Sequence, residues 1–280
     1  MKQQINLRKG QYKYLAKQKL KKIELKKIEQ IEYKYLIKYY HFLKFAEDEL
    51  LLGFKTKEEI RLDWEKKYNS KNSQFSAGAE RIVYALLNGK GIGQPNSAPV
   101  GADLFFEVED AYIHIDLKTV GASLKGKTNI GDYQKKIAIS DNQNSYQGYY
   151  YVKDKYTKRI VKRNYKPNLP VIYKKNNLTE KICLTYFITI LFDRDELDVL
   201  VISIICMPNG LLEQHYKERV LCAGKNKTKS DVRFYYGKVE NFELLGKTKK
   251  RVKVVYFNKE MDKKYEKKLL YFKKLYNQKQ

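Results

Sequence analysis

Two aspartates and a lysine stand out in the segment GADLFFEVEDAYIHIDLKTV, residues 101–120. Asp103 opens one apolar run; Asp116 and Lys118, two residues apart, close the next. Side chains alternate along a strand, so Ile113, Ile115 and Leu117 share one face and His114, Asp116 and Lys118 the other. The turn Glu109-Asp110-Ala111 is short enough to fold the first run beside the second and bring the two carboxylates together. Carboxylates that close repel one another unless a cation sits between them. An oxygen-only pair suits Mg²⁺, which keeps several waters and takes one or two carboxylates with a substrate phosphate. Such an ion polarises a phosphodiester and lowers the pKa of bound water, while the Lys118 ammonium offsets charge growing on the phosphate. His114 shares that face and reads as a packing residue or as a support for the acids beside it, not a ligand.

An acid-x-Lys triplet alone carries little information in so lysine-rich a chain. The same pattern begins at Glu24, Glu32, Glu65, Asp262 and Glu266. Those five fall in basic segments with helical periodicity and read as surface charge, whereas Asp116 interrupts an apolar strand.

The elements that must position this face follow from the pattern. Residues 11–46 hold no Pro or Gly, and Leu25, Ile28, Ile31 and Tyr35 recur at helical spacing, which predicts one long helix or two. Further helices are expected near Lys55–Tyr68 and from Ser76 to about Leu87, where GKGIG closes the run. Leu104–Val108 and Tyr112–Lys118 read as strands. Tyr186–Phe192 and Val199–Cys206 are continuous apolar, β-branched runs, the signature of central strands covered on both faces. Phe234–Leu245 and Val252–Phe257 could add strands, and Lys259–Tyr276 a basic terminal helix. The order predicts a mixed α/β domain with a helical N-terminal extension. Its divisions are 1–72, a helical dimerisation or clamp region; 73–258, a core carrying at 121–180 a polar insert suited to reading a DNA groove; and 259–280, the basic helix.

The chain has 280 residues and a formal charge of +25, a field that attracts polyanions. Three scattered cysteines suit neither a zinc knuckle nor a disulfide framework. No apolar run approaches membrane-spanning length and no secretory leader is evident, so a cytoplasmic protein without membrane association is expected. Three scattered histidines do not form a histidine-metal centre, and GKGIG lacks the preceding strand that a dinucleotide fold needs.

Asp103, twelve intervening residues and then Asp116-Leu117-Lys118 at the end of a hydrophobic strand resemble the PD-(D/E)xK nuclease motif. Ala102 stands where the motif has Pro. The resemblance implies a restriction-endonuclease-like mixed β-sheet of four or five strands between helices, with a core of about Ser73 to Cys206. It also implies Mg²⁺-dependent hydrolysis of a phosphodiester. In this family a third acid often comes from the preceding helix, which makes Glu80 the candidate. Asp103, Asp116 and Glu80 are then the metal-binding acids, and Lys118 completes the catalytic set. The run Asn142-Gln143-Asn144-Ser145-Tyr146 is similar to a polar segment of some restriction enzymes. Its amides could pair with adenine edges and its hydroxyls hold phosphate, with Lys125 and Lys127 adding charge; as turn formers these residues need no such role.

The reading is therefore a type II restriction endonuclease cutting double-stranded DNA at a short palindromic site, as a homodimer. A repair or recombination nuclease of the same fold is the alternative within the class. A non-catalytic basic nucleic-acid binder with tyrosine stacking platforms is the alternative outside it.

Overall fold

The computed structural model describes residues 9–68, 104–124, 130–154, 156–175, 179–216, 220–224, 232–237 and 250–278. Two helices come first, α1 (Lys9–Phe45) and α2 (Glu47–Tyr68), so the second begins earlier than its periodicity suggested. The predicted helix at Ser76–Leu87 lies outside the described residues.

A six-stranded mixed sheet forms the centre, built from β1 (Leu104–Glu107), β2 (Ala111–Ala122), β6 (Ile172–Lys175), β7 (Thr179–Asp193), β8 (Val199–Met207) and β11 (Val252–Phe257). The order is β1-β2-β7-β8-β11, with β6 also paired to β7. β2 and β7 run parallel over twelve residue pairs, and the other pairings are antiparallel. A parallel pair needs a long crossover, and the polar insert supplies it. All nine residues of β8 are buried, as expected for a strand covered on both faces. The sheet reaches past the anticipated Cys206 limit because β11 pairs with β8.

The insert has structure of its own. It contains α3 (Ile130–Tyr133), β3 (Lys136–Ile139), a 3₁₀ turn at Asp141–Gln143, and the hairpin β4 (Gly148–Lys153) and β5 (Ile160–Tyr165). Strand β3 joins β9 (Leu221–Ala223) and β10 (Val232–Tyr235) in a small separate sheet. Between β8 and β9 comes a turn at Gly210–Leu212 with the short α4 (Glu213–Tyr216). Gly210 is obligatory there, because a Cβ would lie 2.1 Å from the Ser145 carbonyl oxygen.

The apolar face of α1, which the periodicity left without a place in the sheet, goes into the core. Leu36 and Leu43 are buried, Tyr39 packs on Phe106 and Tyr186, and Tyr186 donates to the Glu32 carbonyl at 2.7 Å. At the other end, the expected single helix Lys259–Tyr276 is two helices, α5 (Lys263–Lys268) and α6 (Leu270–Asn277). The break has a physical cause. The Gln134 amide donates to the Lys268 carbonyl at 2.6 Å and accepts from Tyr271 N at 2.8 Å, replacing helical partners on both sides of Leu269. Asp262 caps the first of the two by accepting from Lys264 N.

Candidate active site

Strand β2 carries the candidate residues Asp116 and Lys118. Its register puts Ile115 beside Tyr186, on the face that α1 covers, and Asp116 beside Phe187, on the opposite face. His114, Asp116 and Lys118 thus project away from α1, toward the loop that follows β3.

Asp116 is only 2 % exposed. Its Oδ1 accepts a hydrogen bond from Gln143 Nε2 at 2.6 Å, and its Oδ2 pairs with the Lys118 ammonium. Lys118 is partly exposed, its nitrogen 5.9 Å from the centre of the Phe187 ring. A carboxylate this deep needs such partners to remain charged. Gln143 is aimed by its other amide atom, since Oε1 accepts from Ser140 N at 2.9 Å and leaves Nε2 directed at Asp116. The Gln143 carbonyl accepts from Thr185 Oγ1 of β7 at 3.2 Å, holding the loop on the sheet.

The remainder of the 142–146 run divides between interior and surface. Asn144, Ser145 and Tyr146 are buried, and the first two bond within the protein. Asn144 donates to the Ser140 carbonyl and the Tyr165 hydroxyl, and Ser145 Oγ accepts from Gly210 N. In this structure these three side chains face the interior and build the loop. Asn142 is exposed, its Oδ1 accepting from Asn168 at 2.6 Å. Glu80, Asp103, Lys125 and Lys127 lie outside the described residues. The strand before Asp116 is in view, with Leu104 paired to Ile115.

His114 is a packing residue. Its ring meets those of Phe105 and Tyr173, its Nε2 is 3.1 Å from the Tyr173 hydroxyl, and burial pushes its pKa down to about 4. Its neighbour Tyr173 gave no sequence signal, because only the β6–β7 pairing brings residue 173 to this face.

One reading of the triplets is overturned. Glu32 is not surface charge; it is fully buried against Arg251 at 2.5 Å and accepts from Asn209 N at 2.7 Å. Burial pushes its carboxyl up, opposed by the Arg251 charge and by those hydrogen bonds. Its spacing held the clue, because Ile28, Glu32 and Leu36 lie four apart on the stripe that packs inward.

With the geometry in place, comparison with known proteins defines the class. Residues 24–196 match the family described as "Type II restriction enzyme MwoI, N-terminal domain", and residues 199–257 match its "central domain". The first match alone covers more than half of the chain, and the protein belongs to the MwoI family of type II restriction enzymes. It is a DNA-cleaving nuclease. No curated protein matches the chain. Among solved structures it resembles the tetrameric restriction endonuclease SfiI bound to cognate DNA, with a TM-score of 0.60 and 12% identity over 85% of this chain and 87% of that one. It also resembles the restriction endonuclease BglI bound to its DNA recognition sequence, with a TM-score of 0.57 and 15% identity over 79% of this chain and 90% of that one. At such identities the likeness speaks for the fold, a restriction-endonuclease-like mixed sheet flanked by helices.

Proposed function

We propose that Asp116 and Lys118, together with Asp103 and Glu80, form a Mg²⁺-dependent centre that hydrolyses one phosphodiester of double-stranded DNA. The observation that supports it most is the buried Asp116 carboxylate, oriented by Gln143 and paired with Lys118 on the sheet face opposite α1. Asp103 precedes Leu104, whose partner Ile115 precedes Asp116, so sequence and register are compatible with two adjacent carboxylates. The donor set fits a hard cation, because carboxylate oxygens are what Mg²⁺ prefers. Among the described residues no three His, Cys, Asp or Glu side chains form a metal cluster; two of the three acids invoked lie outside them. Asp116, Asp103 and Glu80 would hold the ion, which would polarise the scissile phosphate and activate a water. Lys118 offsets the negative charge that builds on the phosphate. Gln143 keeps Asp116 from rotating away from that position.

A centre of this kind cuts one strand, and a double-strand break needs two. A homodimer supplies the second centre from the same gene and makes the recognised site palindromic. Exposed Phe45, Leu52 and Ile60 on α1 and α2 offer apolar area for such an interface. Lys125, Lys127 and exposed Asn142 are proposed DNA contacts. Among the described residues no helix is long and apolar enough to cross a membrane. The cytoplasm is the compartment we propose, in keeping with the three free cysteines.

Digestion of a genome-sized DNA with Mg²⁺, followed by sequencing of the ends, tests the activity. Discrete ends within one palindrome are expected; random ends or ends confined to branched structures would overturn it. Sedimentation with a cognate duplex tests the assembly, one chain per duplex with complete double-strand cleavage excluding the dimer.

A further inference from the structure

The β4–β5 hairpin has an outward face that the centre at Asp116 does not use. Its register pairs Tyr149 with Asn164, Tyr151 with Lys162 and Lys153 with Ile160. Alternation turns these six side chains one way, while Tyr150, Val152 and Tyr165 point inward and are buried. On the outward face Lys162 Nζ sits 3.6 Å from the centre of the Tyr149 ring, and Tyr149 and Tyr151 meet edge to face. Large apolar and aromatic groups stand in solvent here, with Tyr151 53%, Ile160 74% and Tyr156, at the turn, 84% exposed.

The charge of the ribbon has one sign. Residues 148–166 carry seven Lys or Arg and a single acid, Asp154. That acid is engaged in closing the turn, where it accepts from the Tyr156 and Thr157 amides and from the Thr157 hydroxyl. Exposed apolar and aromatic groups interleaved with lysines suit a partner that combines phosphates with the thymine methyl groups lining a major groove. A two-stranded ribbon also fits the major groove of duplex DNA, about 12 Å wide. A protein partner would need a matching acidic face, which duplex DNA supplies along its whole length.

The root of the ribbon leads to the candidate catalytic carboxylate. The Tyr165 hydroxyl at the end of β5 donates to the Ser140 carbonyl at 2.8 Å and accepts from Asn144 Nδ2 at 2.7 Å. Ser140 N donates to Gln143 Oε1, and Gln143 Nε2 donates to Asp116. We propose that the outward face of the β4–β5 ribbon docks on duplex DNA and that its root, through Tyr165, Ser140 and Gln143, couples this docking to the position of Asp116. The proposal rests on the DNA-cleaving reading above and names the surface by which the duplex is engaged.

The test uses the full chain. In Tyr151→Ala/Lys153→Gln/Lys162→Gln, binding to a fluorescent duplex without Mg²⁺ should weaken by about tenfold or more. The slope of log affinity against log salt should flatten by about two, close to 0.9 per lost phosphate contact. All three sites are on the surface of the hairpin, and the single variant Ile160→Glu gives a second measurement should the triple variant melt early. Tyr165→Phe should leave the dissociation constant unchanged while lowering kcat at saturating DNA by about tenfold, as loss of a supporting hydrogen bond does at such sites. Unchanged affinity and salt slope in the ribbon variants would overturn the docking surface. A lowered sedimentation coefficient with DNA binding intact would overturn it too and assign the ribbon to a protein contact. Unchanged kcat in Tyr165→Phe would overturn the coupling. Wild-type cleavage of plasmid with Mg²⁺ is scored separately: cleavage with unaffected ribbon variants removes the ribbon alone, and no cleavage with weakened ribbon variants removes the nuclease centre alone.

Discussion

The sheet carries a carboxylate–cation pair on each of its two faces, and they are built differently. On the α1 face, Glu32 and Arg251 are both fully buried. Around them Asn209 N donates to Glu32, and Arg251 also reaches the Tyr216 hydroxyl and Cys206 Sγ. On the other face Asp116 is buried but its partner Lys118 is partly exposed. The first pair joins residues 219 apart in sequence and pins a helix to the sheet. The second joins residues two apart on one strand and pins nothing. An ion pair that locks elements together is closed on all sides; one that is to meet a phosphate must keep an accessible end. Burial of a charged pair is therefore no guide to role until its surroundings are counted.

The largest expected effect lies on the open side. Asp116→Ala and Lys118→Ala should each lower cleavage by roughly 10³-fold or more, the scale of losing a group that stabilises transition-state charge. Both should leave duplex binding near that of the wild type, while Lys118→Ala, which leaves a buried carboxylate without its cation, should also lower the melting temperature. Asp103→Ala is expected to match them, and Glu80→Ala to reduce cleavage strongly. A nicking assay on supercoiled plasmid reads all four, and a normal rate in any of them removes that residue from the centre.

The closed side should respond in stability instead. Arg251→Met leaves the Glu32 carboxylate buried and unpaired, which costs about 3–5 kcal/mol. Replacing both partners, as Glu32→Met/Arg251→Leu, should recover much of that loss in urea denaturation. Cleavage per folded molecule should stay near normal in the double variant; a large drop would erase the distinction between the two faces.

Gln143→Ala sharpens the contrast, because it touches Asp116 from the loop and not from the strand. Loss of that hydrogen bond is expected to lower activity roughly 10- to 100-fold and to raise the Mg²⁺ concentration at half-maximal cleavage. A fall in activity with an unchanged Mg²⁺ midpoint would place Gln143 outside the metal-binding function.

The smallest effect belongs to the β1–β2 turn, where Asp110 takes hydrogen bonds from Lys34 and Tyr35 of α1. Burial alone would raise this carboxyl, but the two hydrogen bonds and the Lys34 charge outweigh it and hold it below the ordinary 3.8. A depressed folded value means a stabilisation present above 3.8 and lost as pH falls through that lower value. Asp110→Asn should thus lower stability at neutral pH by within about 1 kcal/mol, since the pair is partly exposed. The gap to wild type should close in acid, as read by urea denaturation at several pH values.

Much of this was legible in the residues. Period-two alternation in 112–118 identified the strand and its polar face, because a strand's side chains can go only two ways. The unbroken apolar runs 186–192 and 199–206 marked the central strands, since only a doubly covered strand carries no polar face. Three features depended on tertiary contacts. Glu32 looked like one more surface acid until Arg251 arrived from the far end of the chain. The Gln143 hydrogen bond to Asp116 exists only because the loop after β3 folds over β2. The terminal helix broke at Leu269 because Gln134, 135 residues earlier, replaced its hydrogen bonds. Periodicity and spacing report what a residue's immediate neighbours impose; which distant group meets a buried polar atom is decided only when the strands pair and the helices pack.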